Sequence, residues 1–154
     1  MNEKKSLAKR FINEHPLAVI SINRKGKAPY AASIFIACDD ALNLFFITKS
    51  ETEKYKAIAK DNKVSITITD FELQQTIQAE GEANQITAEG GVTEELFKKL
   101  ASIKPKGNNN WLPPIVKLQS GNYSIFEINL SKMRYADFKQ ELNLRPDNIF
   151  TDII

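Results

Sequence analysis

The residues 45–58, FFITKSETEKYKAI, place hydroxyl and ammonium groups where an apolar strand-like run passes into a helix-like run. Within seven residues stand Thr48, Lys49, Ser50, Thr52 and Lys54. Two interpretations of this spacing are open. Ser50 and Glu53 match the capping box, in which the hydroxyl accepts from a helix N–H and the glutamate reaches back. Alternatively, the free N–H groups of a helix start, with nearby lysines and hydroxyls, bind an anion such as phosphate.

The two interpretations assign different roles to neighbouring hydroxyls. The capping box explains Ser50 and Glu53 and leaves the other hydroxyl and ammonium groups without a role. We therefore predict that Ser50 caps the helix. Thr52, one step further on, is then free to donate to a phosphate oxygen, and Lys54 supplies a positive charge.

A single histidine and a single cysteine exclude several kinds of catalytic site. Cys38 alone forms no intrachain disulfide and no cysteine-based zinc site. His15 precedes Pro16, where a helix is expected to end, so we interpret it as a boundary residue. A Ser-His-Asp hydrolase and a two-histidine metalloenzyme are not expected. An enzyme of this composition is expected to take its reactivity from a bound cofactor.

The composition is that of an ordinary globular protein. Lys and Arg number 21 against 19 Asp and Glu, and a net charge of +2 is too small to indicate a nucleic-acid partner. No apolar run approaches the ~20 residues of a membrane helix, and the N-terminus has no signal-peptide pattern. We expect one domain over residues 1–154, located in the cytoplasm.

The wider pattern predicts short antiparallel strands with helices inserted among them. Apolar spacing predicts helices over 4–14, 51–61 and 93–102, the last one capped by Thr93. Strands are expected at 17–23, 28–37, 42–48, 63–69, 74–86, 122–130 and 132–138. Gly26 is expected to take a positive φ in a turn, and Gly81 to mark a bulge or a close approach. Closure of such strands into a small barrel removes exposed edges.

The order of these features resembles the FMN-binding split barrel of the pyridoxamine 5'-phosphate oxidase-like superfamily. The resemblance begins with a strand pair around a Gly turn and the second-strand pattern P-Y-x-x-S at 29–33. It continues with an acidic turn, a strand ending in Thr48, Lys54 six positions later, and AEGEA at 79–83. It covers residues 7–86 well and 123–138 more loosely.

The resemblance implies a mainly β fold with helices, an antiparallel split β-barrel with Greek-key connections. It also implies a homodimer that holds FMN in a groove at the subunit interface. By position, the residues beside the flavin would be Ala32, Ser33, Ile34 and Phe35. Thr48 would lie near the ring or ribityl chain, and Thr52 and Lys54 would hold the phosphate, helped by Lys49 and Ser50.

Further candidates for contact with the cofactor lie outside residues 32–35 and 48–54. Thr76 stands where many family members have a glutamine, which Gln75 or Gln78 would replace. Trp111 is interpreted either as a core or dimer contact or as a wall of the flavin pocket. Arg134 and Tyr135 are interpreted either as late cofactor contacts or as an ordinary pair of barrel residues.

Some positions depart from the pattern of the true oxidase. Ala32 stands where pyridoxamine phosphate oxidases place an arginine, and Glu53 replaces a frequent basic residue. The C-terminal Arg and His signature of that oxidase is missing. We therefore expect a relative of the vitamin B6 enzyme with a different substrate.

Three functions are compatible with these features. The first is a flavin-dependent oxidoreductase that exchanges electrons with a small molecule. The second is a flavin-binding or ligand-sensing dimer without turnover. The third is a split barrel that holds haem or a deazaflavin in place of FMN, and the single histidine weighs against haem.

Overall fold

One antiparallel sheet makes up most of this computed structural model, which describes residues 3–87, 91–104, 110, 122–139 and 149–154. The helices are α1 (Glu3–Glu14), α2 (Glu53–Lys60) and α3 (Gly91–Ala101). The strands are β1 (Leu17–Ile22), β2 (Tyr30–Phe35), β3 (Ala37–Cys38), β4 (Leu44–Lys49), β5 (Lys63–Asp70), β6 (Gln75–Gln85), β7 (Tyr123–Asp137) and β8 (Thr151–Asp152). Their order is β2-β1-β5-β6-β7-β4-β3, with β8 paired to β7.

The sheet curls back on itself because β2 and β3, which are consecutive in the chain, form its two edge strands. Residues 30–35 pair with β1, and after the single residue Ile36 the same segment pairs with β4 through Ala37 and Cys38. β2 and β4 approach each other further along, but the ladder of β3 on β4 ends at the Ala37–Phe45 pair and does not continue between them. This opening between two neighbouring strands makes the fold a split barrel, as predicted.

Alternation along the strands separates the core from the solvent. In β5, Val64, Ile66 and Ile68 are buried and the residues between them are exposed, as the period-two pattern predicts. α1 packs Phe11 against the core, where its ring meets the ring of Tyr135 at 5.8 Å. We call the opposite, solvent-facing side of β2, β1, β5 and β6 the outer face.

The two predicted late strands are one continuous strand, β7. Its register on β6 shifts between the pairs Glu80–Lys132 and Gly81–Leu130, so Ser131 is an extra residue on β7. The prediction of two strands was wrong because this local irregularity bends the strand without ending it. The prediction of a close approach at Gly81 is confirmed: a Cβ there would lie 2.4 Å from the carbonyl oxygen of Asn129.

Several smaller predictions are decided by the backbone. Gly26 has φ +73°, as expected for the turn between β1 and β2. α3 begins at Gly91, so Thr93 lies inside the helix and the prediction that it is the cap was wrong. α2 begins at Glu53, two residues later than predicted. No helix in the described parts of the chain is both long and apolar enough to cross a membrane.

Candidate functional site

Residues 48–54, which we call the β4–α2 corner, join the end of β4 to the first turn of α2. Thr52 is the N-cap of α2: its Oγ1 accepts a hydrogen bond from the backbone N–H of Tyr55 at 3.2 Å. Ser50 remains tied to the sheet because its backbone N–H donates to Asn122 at 3.2 Å. The prediction that Ser50 caps the helix was therefore wrong, and the helix starts two residues later than the capping-box pattern indicated.

The hydroxyl of Thr52 has no capacity left for a phosphate. It donates to the carbonyl oxygen of Lys49 at 2.8 Å. A hydroxyl has one proton, so at the 2.8 Å contact with Thr48 it is Thr48 that donates. Together with the bond from the backbone N–H of Tyr55, the Thr52 hydroxyl donates one hydrogen bond and accepts two. The side-chain phosphate contact expected from Thr52 therefore has no geometric support.

Other groups at the corner retain the features of an anion site. Among the described residues, the backbone N–H groups of Glu53 and Lys54 have no hydrogen-bond partner, as is usual at a helix start. Burial lowers the pKa of Lys54, and within the described chain it faces no carboxylate that offsets this loss of hydration. A partly desolvated lysine beside two open N–H groups is an arrangement that an anion stabilises.

Lys49 lies on the opposite face of β4 from Thr48. It is buried, at 4% exposure, and its Nζ lies 4.8 Å from the centre of the Tyr123 ring. This tyrosine also contacts Phe97 of α3 edge-on at 5.2 Å. The ammonium group is therefore held beneath α3, and Lys49 points away from the face of β4 that carries Thr48.

Arg24 is a neighbour of the corner that sequence reasoning missed. It lies in the β1–β2 turn, and its Nη1 is 3.5 Å from Oε1 of Glu53. Its Nε donates to Ala28 at 2.9 Å, which holds the guanidinium beside the helix start. The negative charge of Glu53 is thus partly balanced by an arginine 29 positions away in sequence. No local sequence pattern could have indicated this contact.

The four candidates on β2 are divided between its two faces. Ile34 is buried in the core with Ala32 packed against it, while Ser33 is exposed on the outer face and Phe35 is half-buried. If the register of β3 on β4 continued, Ile34 would stand opposite Thr48. The structure therefore brings β2 and the β4–α2 corner to the two sides of the barrel opening.

The candidates on β6 and β7 lie elsewhere in the chain. Ser124 pairs with Thr48, and Arg134 stands ten residues further along β7, about 33 Å of strand. The Tyr135 side chain is part of the core. Thr76 donates to the carbonyl oxygen of Ile68 at 3.0 Å. The burial of Tyr135 favours its interpretation as an ordinary barrel residue, and the Thr76 hydroxyl is engaged within the sheet.

Three polar candidates near that end are also engaged. Gln75 Nε2 donates to Asp137 at 2.9 Å, and Arg134 donates twice to Gln78 Oε1, at 3.1 and 2.7 Å. Within one chain, neither glutamine meets the β4–α2 corner. Trp111 lies outside the described residues.

The comparisons with known proteins decide the family. The family model for pyridoxamine 5'-phosphate oxidase matches residues 5–136. The chain belongs to this family. No curated protein matches it in sequence. Members of this family typically bind FMN and are commonly dimers.

Solved structures extend the likeness to the fold. General Stress Protein 26 from Bacillus anthracis is 19% identical, with 99% of this chain and all of that one covered and a TM-score of 0.65. A pyridoxamine 5'-phosphate oxidase-related, FMN-binding protein from Nostoc punctiforme is 8% identical, with coverage of 99% and 96% and a TM-score of 0.63. A haem-binding protein from Mycobacterium smegmatis is 11% identical, with coverage of 99% and 59% and a TM-score of 0.68.

Proposed function

We propose that this protein binds FMN, with the phosphate at the β4–α2 corner and the flavin ring along β2. The observation that carries the proposal is the half-buried Lys54, which has a lowered pKa and no carboxylate partner in the described structure, beside the open N–H groups of the α2 start. A phosphate there would receive two backbone hydrogen bonds and one charge-assisted bond.

The chemistry of the neighbouring residues fits this group. The Ser50 hydroxyl is half-exposed and makes no side-chain bond in the described structure, so it is available as a further donor. Arg24 offsets Glu53, the position at which the family pattern would favour a basic residue. On the other side of the opening, Ser33 and the half-buried Phe35 offer a hydroxyl and an apolar surface to a planar ring.

We further propose that the FMN groove is completed in a homodimer by the outer face. Leu17 and Val19 of β1 are 52% and 47% exposed in the middle of this face. Ser33 pairs with Val19, and Thr67 pairs with Val19 from the other side, so small side chains flank the exposed apolar ones. Such a flat, weakly polar sheet face is suited to packing on a second copy of itself.

The proposed activity is electron transfer between bound FMN and a small molecule. When bound, FMN supplies the redox chemistry. The chain itself holds the phosphate, orients the ring and excludes water from it. In the described parts of the chain, no cluster of three metal-binding side chains competes with this function.

One solved structure with a similar fold is that of a haem-binding protein, but the described residues of this chain offer little for that ligand. The only histidine, His15, has its Nδ1 3.3 Å from Asp70 and its ring 4.6 Å from that of Phe11. Its Nε2 is buried, so reaching an iron would require the end of α1 to move.

Absorption spectroscopy of the purified protein tests the proposed function. FMN binding predicts a yellow protein whose flavin band survives gel filtration at the mass of a dimer. Loss of that band on anaerobic addition of NADH or NADPH would support turnover, and its persistence would favour a flavin-binding dimer without turnover. A Soret band instead of a flavin band, or a monomer that retains FMN, would contradict the corresponding part of the proposal.

A further inference from the structure

A crevice of about 340 Å³ lies between α1, the first residue of β6 and the C-terminal end of β7. We call it the α1 crevice. Small-molecule sites have this size, and they combine an apolar surface with a few polar groups. The lining of the α1 crevice has the same mixture: Leu7, Arg10, Phe11, Glu14, Leu73, Gln75 and Tyr135.

One face of α1 supplies the charged groups of the crevice. Arg10 and Glu14 lie one helical turn apart, and the side chains of both are exposed. Within the described chain, neither makes an ion pair or a hydrogen bond, with the other or with a third residue. A cation that precedes a carboxylate by four positions is the less favourable order for such a pair. The mouth of the crevice therefore presents one positive and one negative group to a ligand.

Tyr135 brings a polar group to the inner end of the crevice. The residue is only 9% exposed, and its ring contacts that of Phe11 edge-on. Its hydroxyl makes no hydrogen bond with any described residue. Burial raises the pKa of Tyr135, the negative charge of Asp137 adds to the rise, and Arg10 opposes it. The hydroxyl is therefore protonated, lies within electrostatic range of Arg10, and is left as a hydrogen-bond donor.

Gln75 offers a hydrogen-bond acceptor to the same space. Its Nε2 donates to Asp137 at 2.9 Å, so its carbonyl oxygen is left as an acceptor. Asp137 also accepts from the backbone N–H of Lys139 at 3.0 Å, and it makes no ion pair in the described chain. A ligand cation beside Gln75 is stabilised both by this carbonyl oxygen and by the neighbouring carboxylate.

The two walls of the crevice are joined at one end. Asp70 accepts from the backbone N–H of Leu73 at 2.7 Å, which fixes the β5–β6 turn. The same carboxylate lies 3.3 Å from Nδ1 of His15, the residue that follows α1. The end of α1 is therefore attached to the turn that carries Leu73, and the apolar walls are held at a set spacing.

We propose that the α1 crevice binds a free α-amino acid with an apolar side chain. The carboxylate of the ligand accepts from Arg10 and from the Tyr135 hydroxyl. Its ammonium group donates to Glu14 and to the carbonyl oxygen of Gln75. A ligand with a single charge would leave either Arg10 or Glu14 without a partner. The side chain of the ligand packs against the apolar part of the lining, which is formed by Leu7, Phe11 and Leu73.

This site is separate from the proposed FMN site. Tyr135 packs in the core, whereas the FMN proposal uses the β4–α2 corner and the outer side of β2. Ser124 pairs with Thr48 of that corner, and Tyr135 stands eleven residues further along β7, about 36 Å of strand. Binding of an amino acid in the α1 crevice therefore does not depend on the proposed function.

Isothermal titration calorimetry of the full-length protein with three probes tests this inference. L-leucine carries both charged groups, isopentylamine lacks the carboxylate, and 4-methylpentanoate lacks the ammonium group. Wild type is expected to bind L-leucine at least about fivefold more tightly than either analogue. Absence of L-leucine binding up to about 10 mM, or an analogue that binds as tightly as L-leucine, would overturn the inference.

Variants of exposed residues, which should melt with the wild type, assign the two charged groups. Arg10→Met should weaken L-leucine at least about fivefold and should not weaken isopentylamine, which has no carboxylate to hold. Glu14→Gln should weaken L-leucine by a similar factor and spare 4-methylpentanoate. Lys5→Met, on the opposite face of α1, is the matched control and should change L-leucine affinity less than about twofold.

Two further results would also overturn the inference. One is unchanged L-leucine affinity in both Arg10→Met and Glu14→Gln, or a loss in Lys5→Met as large as in Arg10→Met. The other is displacement of L-leucine by saturating FMN, which would mean that both ligands occupy one site. A protein that binds L-leucine but not FMN would refute only the proposed function.

Discussion

Replacing Thr52 by valine removes the hydroxyl that connects β4 to the start of α2. Three bonds are lost: from Tyr55 N at 3.2 Å, from Thr48 at 2.8 Å and to the carbonyl oxygen of Lys49 at 2.8 Å. Loss of an N-cap costs about 1 kcal/mol. The Thr48 hydroxyl, 1% exposed, would be left without this partner at a cost of about 1–3 kcal/mol. Because valine has nearly the same shape, no cavity term adds to these.

The expected loss is therefore about 2–4 kcal/mol of unfolding free energy, which in a chain of this size lowers Tm by at least about 4 °C. Urea unfolding of the apo protein, followed by circular dichroism, measures it. Ser50→Ala is the control, since the structure assigns this residue no capping role, and it should cost less than about 0.5 kcal/mol. Thr48→Val combined with Thr52→Val should cost less than Thr52→Val alone, because no buried hydroxyl is then left unpaired.

Two results would refute this reasoning. One is a larger loss of unfolding free energy for Ser50→Ala than for Thr52→Val, which would mean that Ser50 is the N-cap. The other is a double variant whose loss of stability equals the sum of the losses of the two single variants, which would mean that the Thr48–Thr52 bond contributes nothing.

The remaining predictions concern backbone fit, burial and charge. Gly81→Ala should cost about 3 kcal/mol in urea unfolding because its Cβ would lie 2.4 Å from a backbone oxygen. Gly26→Ala, with open space but φ +73°, should cost only about 1–2 kcal/mol. Cys38, whose pKa burial raises to about 11, should react with a thiol reagent at pH 8 only as fast as the protein unfolds, and rapid labelling would contradict its burial. Lys54→Met should raise apo stability at pH 7, because burial disfavours the charged lysine and lowers its pKa. That gain should shrink as pH rises through this lowered pKa towards 10.5, and a pH-independent difference would contradict it.

Features set by a repeating local pattern could be predicted from the sequence. The alternation of β5 fixes which side chains face the core, and Gly81 marks a place where two backbones approach closely. The predicted break between the two late strands fell at Ser131, which is the extra residue of β7. The interruption of the apolar pattern at Ser131 located the irregularity correctly, but only the pairing of β7 with β6 shows that the strand continues through it.

Features set by contacts between distant segments could not be predicted. Ser50 and Thr52 both fit an N-cap by residue type, and the bond from Ser50 N to Asn122 keeps Ser50 in the sheet. The approach of Arg24 to Glu53 depends on how the β1–β2 turn packs beside α2. The cavity beside the β5–β6 turn likewise combines this turn with residues far along the chain, among them Phe138.

The phosphate site at the β4–α2 corner is tested most directly by comparing FMN with riboflavin, which has the same ring and no phosphate. Both are titrated into wild type and Lys54→Ala by flavin fluorescence, with Lys56→Ala, an exposed lysine of the same helix, as the control. A charge-assisted bond of about 1.5–3 kcal/mol predicts that Lys54→Ala weakens FMN at least about tenfold, leaves riboflavin nearly unchanged, and that Lys56→Ala affects neither. Equal losses for both ligands in Lys54→Ala, or a wild type that binds riboflavin as tightly as FMN, would contradict a phosphate site at this corner.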